Sequence, residues 1–150
     1  MSKYRTKDER YRASRDYLTQ LFRMETRFRS LRERRARYQE IATSITPRYD
    51  AQPSGGGSGG SKQERYAVKV LELDEELRAW DADYAATVRE IERAISALPD
   101  GRWRDVLTYR YLNFWAWARI AREMHYSRDY VMRLHADAMV HFKPPAPPKF

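Results

Sequence analysis

The chain has 150 residues, 29 of them Lys or Arg against 21 Asp or Glu, giving a net charge of +8 and a pI near 9.8. That length fits one modest domain or two small ones, and the charge suits a polyanionic partner, whether nucleic acid or an anionic surface. The lack of cysteine excludes disulfides and thiolate chemistry, and no window approaches the roughly 20 apolar residues that would span a bilayer.

Residues 1–46 read as a first long basic helix. Residues 1–50 hold 14 basic against 7 acidic side chains, a net of +7. Tyr17, Leu21, Met24, Phe28, Leu31, Tyr38, Ala42 and Ile45 follow the three- and four-residue steps of a heptad seam, which Arg35 alone interrupts. Residues 47–61 form a Pro/Gly/Ser linker whose prolines stop the helix and whose glycines allow reversal. Ser61, with Glu64 three residues on, forms a capping box for the next helix.

Residues 62–98 read as a second long helix, this one acidic. Residues 61–100 carry a net of −4, and Tyr66, Val70, Leu73, Leu77, Trp80, Tyr84, Ile91 and Leu98 form its seam. Opposite charge on two neighbouring heptad segments predicts an all-α, antiparallel coiled-coil hairpin. Setting Ile45 opposite Tyr66 brings Arg35 beside Glu75 and Glu76, which gives the intruding cation a partner. The run Arg32–Arg37 reads as a solvated flank facing the acidic helix rather than a second nucleic-acid contact. Leu18, Phe22, Ile41, Val88 and Ile95 lie off the seam and widen the apolar stripe beyond what two helices need. That width predicts self-association through the coiled-coil helices.

Pro99-Asp-Gly101 breaks the second helix and opens a module over residues 99–142. Residues 101–150 are again basic, with a net of +5. Trp103 to Leu112 reads as a scaffold helix with Val106, Leu107 and Tyr109 or Tyr111 facing inward. Ile120, Ala121 and Met124 form one apolar face, and Ala121 is small enough for a second helix to cross closely. Ser127 caps that second helix, and Val131, Leu134 and Ala138 point back at the first. Arg128, Asp129, Met132 and Arg133 are left on the outer face, near a helix start, where a recognition helix meets base edges. Tyr130 fits either a wedge against the scaffold helix or a DNA contact. Trp103, Trp115 and Trp117, with Phe114, are expected as core rather than as a platform for single-stranded bases. His135 is expected at the flank of the DNA face. Residues 143–150 are a Pro-rich tail, expected as an extended, disordered end.

The motifs Val106-Leu107-x-x-Arg110-Tyr111, Trp117-x-x-Ile120-Ala121-x-x-Met124-x-Tyr126-Ser127 and Val131-x-Arg133-Leu134-His135-x-x-Ala138 resemble region four of bacterial sigma factors. The wider chain resembles small phage-encoded transcriptional regulators of the RinA/ArpU kind, sharing with them only its layout over the first hundred residues. The resemblance implies sequence-specific binding of double-stranded DNA by a phage late-gene activator, in the cytoplasm of a bacterial host cell, with bacterial RNA polymerase as a further partner. It assigns Ser127, Arg128, Asp129, Met132 and Arg133 to the major groove, with Tyr130 beside them, and Arg119 and Arg122 to phosphates. Ala116 departs from the pattern, which has Ser or Thr there as a cap; Asn113 must supply that cap or it is missing. The alternatives are a small-terminase-like DNA-packaging protein, and a protein that binds RNA polymerase or a sigma factor through the same module.

Catalysis, cofactors and metals find no support in the residues. Gly55-x-Gly57-x-x-Gly60 matches a dinucleotide-binding string by letter only, because no strand precedes it. His125, His135 and His141 lack metal-ligand spacing, and no carboxylate–histidine constellation suggests an enzyme. The basic start is not followed by an apolar signal core, so no membrane partner and no secretion are expected.

Overall fold

Thr6 opens the first ordered helix with a reciprocal cap: its Oγ1 accepts the Glu9 N–H at 3.2 Å, and its own N–H donates to Glu9 Oε2 at 2.8 Å. The computed structural model describes residues 6–44 and 61–150, and all regular structure within them is helical. The elements are α1 (Lys7–Leu18), α2 (Gln20–Thr43), α3 (Lys62–Ser96), α4 (Gly101–Leu107), a π-helical turn (Thr108–Leu112), α5 (Trp117–Met124) and α6 (Arg128–His141). Ile45, the linker prolines and the glycine run lie outside the described residues.

The expected single basic helix is two helices. The break falls at Thr19, whose Oγ1 accepts from Arg23 and donates to the Arg15 carbonyl one turn back, at 2.6 Å. Such back-bonding competes with the backbone ladder and bends a helix locally. The chain divides into two compact units, Thr26–Asp83 and the remainder, and α2 and α3 contribute to both.

Within Thr26–Asp83 the two helices meet in opposite order. Arg27 lies over the Trp80 ring, Arg35 bonds Asp74 at 2.6 Å, Tyr38 sits edge-on to Tyr66, and Gln63 Nε2 donates to the Ser44 carbonyl. Leu31, Val70 and Leu73 are buried between them. The register differs from expectation: Arg35 reaches Asp74 rather than Glu75 or Glu76, and Tyr66 faces Tyr38. Arg35's hydrogen bond holds the Asp74 carboxyl below its ordinary range. Within the Arg32–Arg37 run, it is Arg35 that forms this ion pair with α3. Ser61 does cap α3, its Oγ accepting from the Glu64 N–H.

The other unit brings α1 back onto α6, a contact that hydrophobic spacing does not predict. Ser14 is fully buried and its hydroxyl donates to the Met139 carbonyl at 2.7 Å. Tyr17, placed on the hairpin seam by its spacing, packs against Phe142. Leu18 and Ile95 are buried here, and Phe22 packs on Tyr111 and Phe114. Leu18, Phe22 and Ile95 therefore contribute to this unit's own packing. The Pro-rich tail is also ordered, in correction of the expected disordered end. The Lys149 N–H donates to Gln20 Oε1, and Arg23 donates to the Phe150 carbonyl at 2.7 and 2.9 Å. No helix of the described residues is long and apolar enough to cross a membrane.

Candidate nucleic-acid interface

The proposed scaffold helix is α4 followed by the π turn. Asp100 caps α4 by accepting the Arg102 N–H at 2.8 Å. The Asn113 N–H then bonds the Thr108 carbonyl five residues back, a wider turn that carries Tyr111 into the core. Val106, Leu107 and Tyr111 are buried. Tyr109 is half-buried and stacks on Trp115 at 4.6 Å.

Arg110 ties this scaffold to α5. It donates to the Trp115 carbonyl at 3.0 Å and lies over the Trp117 ring. Ala116 gives α5 no side-chain cap, and Asn113 does not replace it. Ile120 and Ala121 turn inward, while Arg119 and Arg122 are exposed. Arg119 sits 4.0 Å over the Trp115 ring, so the Tyr109–Trp115 stack orients this cation toward solvent. Trp103, Trp115 and Trp117 are half-buried and Phe114 is exposed, rather than core; the tryptophans support arginines and histidines, and Phe114 packs on Phe22. Trp103 stacks on His141 in the same way.

Three residues join α5 to α6. His125 adopts a left-handed conformation, φ 57°, and the Tyr126 N–H returns to the Ala121 carbonyl while that of His125 meets Arg122. This Schellman closure usually uses glycine, so its signal is hidden in the sequence. Ser127 caps α6 as expected, its Oγ accepting from the Tyr130 N–H at 3.2 Å. Val131, Leu134 and Ala138 are buried, and α5 packs on α6.

Arg128, Asp129, Met132 and Arg133 are all exposed. Steps of one, four and five residues from Arg128 set them on adjoining faces of the first two turns of α6. Among the described residues, no carboxylate pairs with Arg119, Arg122, Arg128 or Arg133. Asp129 also has a local reason to stand in the first turn, since a carboxylate there is favoured by the helix dipole. Tyr130 resolves toward the scaffold: its hydroxyl accepts from Arg102 at 2.7 Å, and Arg102 is held in turn by Asp100. Its ring meets Tyr126 edge-on and lies 5.9 Å from the Arg133 guanidinium.

His135 is not at the flank of this face. It is 4% exposed, shares a 2.7 Å hydrogen bond with the Tyr111 hydroxyl and lies against the Trp117 and Tyr11 rings. Burial, with Arg110 nearby, lowers its pKa to about 4. No group of histidines and carboxylates that could hold a metal occurs among the described residues.

Ala121 is 8% exposed at the α5–α6 junction. Ala121→Leu is expected to lower stability by about 1–3 kcal/mol through overpacking, read as a fall in the denaturant midpoint. Unchanged melting would mean that the helices do not cross closely at this residue.

No family model, curated protein or solved structure matches the chain.

Proposed function

We propose that the chain is a sequence-specific double-stranded DNA-binding transcriptional regulator of the phage late-gene activator kind. In this reading α5 and α6 form a region-four-like helix-turn-helix, and α2 and α3 form an antiparallel coiled-coil arm. One observation carries it: the start of α6 presents Arg128, Met132 and Arg133 to solvent, the arginines without an acidic partner among the described residues, while the opposite face of the same helix is buried. An arginine at such a helix start can bond guanine O6 and N7 together, and Arg119 and Arg122 supply charge for phosphates, which fix register without reading sequence. By the same resemblance, the bound regulator would meet bacterial RNA polymerase in the host cytoplasm.

The division of labour is testable by salt dependence. Arg119→Ala/Arg122→Ala should weaken binding about equally on every duplex and lower the slope of log K against log salt by roughly 2. Fluorescence anisotropy on a specific and a random duplex reads both quantities. A loss confined to the specific duplex would move these arginines from the phosphates to the bases.

A further inference from the structure

The helix α3 carries a second seam. Its inward series Tyr66, Val70, Leu73, Leu77 and Trp80 is buried or half-buried, as a helix packed on α2 requires. Two positions before each stands another residue: Glu64, Val68, Leu71, Glu75 and Arg78, with Ala82 continuing the four- and three-residue steps. All six are exposed. Val68 and Leu71, at 54% and 65%, are the most exposed large apolar side chains among the described residues. Two aliphatic side chains on one outer face, a single turn apart, form an unpartnered patch rather than scattered exposure.

The order along this face identifies its occupant. From Leu71 it runs large apolar, acidic, basic, small; from Ala82 backward it runs small, basic, acidic, large apolar. The face is therefore complementary to itself when one copy is reversed. Leu71 then meets Ala82 of the second copy, Glu75 meets Arg78, and a two-fold axis repeats each contact. A parallel pairing in register would instead set Glu75 on Glu75 and Arg78 on Arg78, which like-charge repulsion opposes.

We infer that a second copy of this chain docks antiparallel on the outer face of α3, about a two-fold axis between Glu75 and Arg78. An isologous contact of this kind closes at two subunits. Its use, presenting two copies of the α6 face to paired half-sites, rests on the proposed DNA reading; the contact itself does not.

Sedimentation of the full chain without DNA, over a range of concentrations, tests it. The wild-type chain should be a dimer. Leu71→Glu and Glu75→Arg should each raise the dissociation constant at least about tenfold, with unchanged helical circular dichroism because both side chains are exposed. Glu75→Arg/Arg78→Glu, which reverses both charges, should restore the dimer. A monomeric wild-type chain, a dimer indifferent to the single variants, or failure of the double variant to recover would each overturn the inference. A dimer that follows this pattern yet shows no sequence preference would leave it standing while the DNA reading fails. A sequence-reading monomer would do the reverse.

Discussion

Replacing Arg133 with alanine is expected to weaken binding to the specific duplex site by about 1–3 kcal/mol and to leave random duplex nearly unaffected. The expectation rests on how the side chain is held. Arg133 is exposed in the second turn of α6, and its guanidinium lies near the ring of Tyr130. That ring is fixed from two sides, by Arg102 on its hydroxyl and by Tyr126 on its edge. The cation thus starts from an anchored support, so less freedom is lost when it bonds a base. Arg133→Lys should keep most non-specific affinity and lose discrimination, because an ammonium cannot form the two-pronged contact with guanine. Equal losses on both duplexes, measured by competition at fixed salt, would reduce Arg133 to a phosphate contact.

Acidification should destabilise the unit containing α6 well before ordinary carboxylates are neutralised. His135 has a folded pKa near 4 because burial disfavours its charged form, against about 6.5 in an unfolded chain. Above the higher value both states are neutral and stability is full. Between the two, the unfolded chain takes up a proton that the folded chain refuses, so stability falls as pH drops. The slope is about 1.4 kcal/mol per pH unit and the total about 3 kcal/mol. His135→Gln does not titrate, and its amide can still meet the Tyr111 hydroxyl. The difference in denaturation midpoint between the two proteins should therefore shrink steadily from pH 6.5 to 5. Parallel curves over that range would show that His135 takes up its proton as readily in the folded chain as in the unfolded one.

Much of the architecture is legible because hydrophobic spacing reports burial. Tyr17, Leu21, Met24, Leu31, Val70 and Leu73 are placed inside by their spacing and are buried. The caps at Ser61 and Ser127 are legible for a similar reason, since a hydroxyl before an apolar-periodic run has one obvious use. Spacing does not say against what a residue is buried. Tyr17 fits a seam facing α3 as well as it fits the contact with Phe142, so the return of α1 to α6 stays hidden. The flank position expected for His135 fails although its phase is readable: with Val131, Leu134 and Ala138 it falls on the inward side of α6, where its polarity argues against burial. The Schellman turn at His125, the π turn after Leu107 and the docking of the tail through backbone groups leave no side-chain signature. Of the candidate site, the outward set Arg128, Asp129, Met132 and Arg133 comes directly from helical phase. The anchoring of Tyr130 by Arg102 depends on a contact between distant residues that only the fold reveals.

Selection of bound fragments from a random duplex pool, sequenced at two salt concentrations, tests the central claim most directly. A sequence-reading regulator predicts enrichment of one motif at both salts, with lower total recovery at the higher one. Paired half-sites in opposite orientation would further match two α6 faces related by a two-fold axis. Recovery only at low salt, with no motif, would contradict the claim: the net charge of +8 would then act alone on the phosphates.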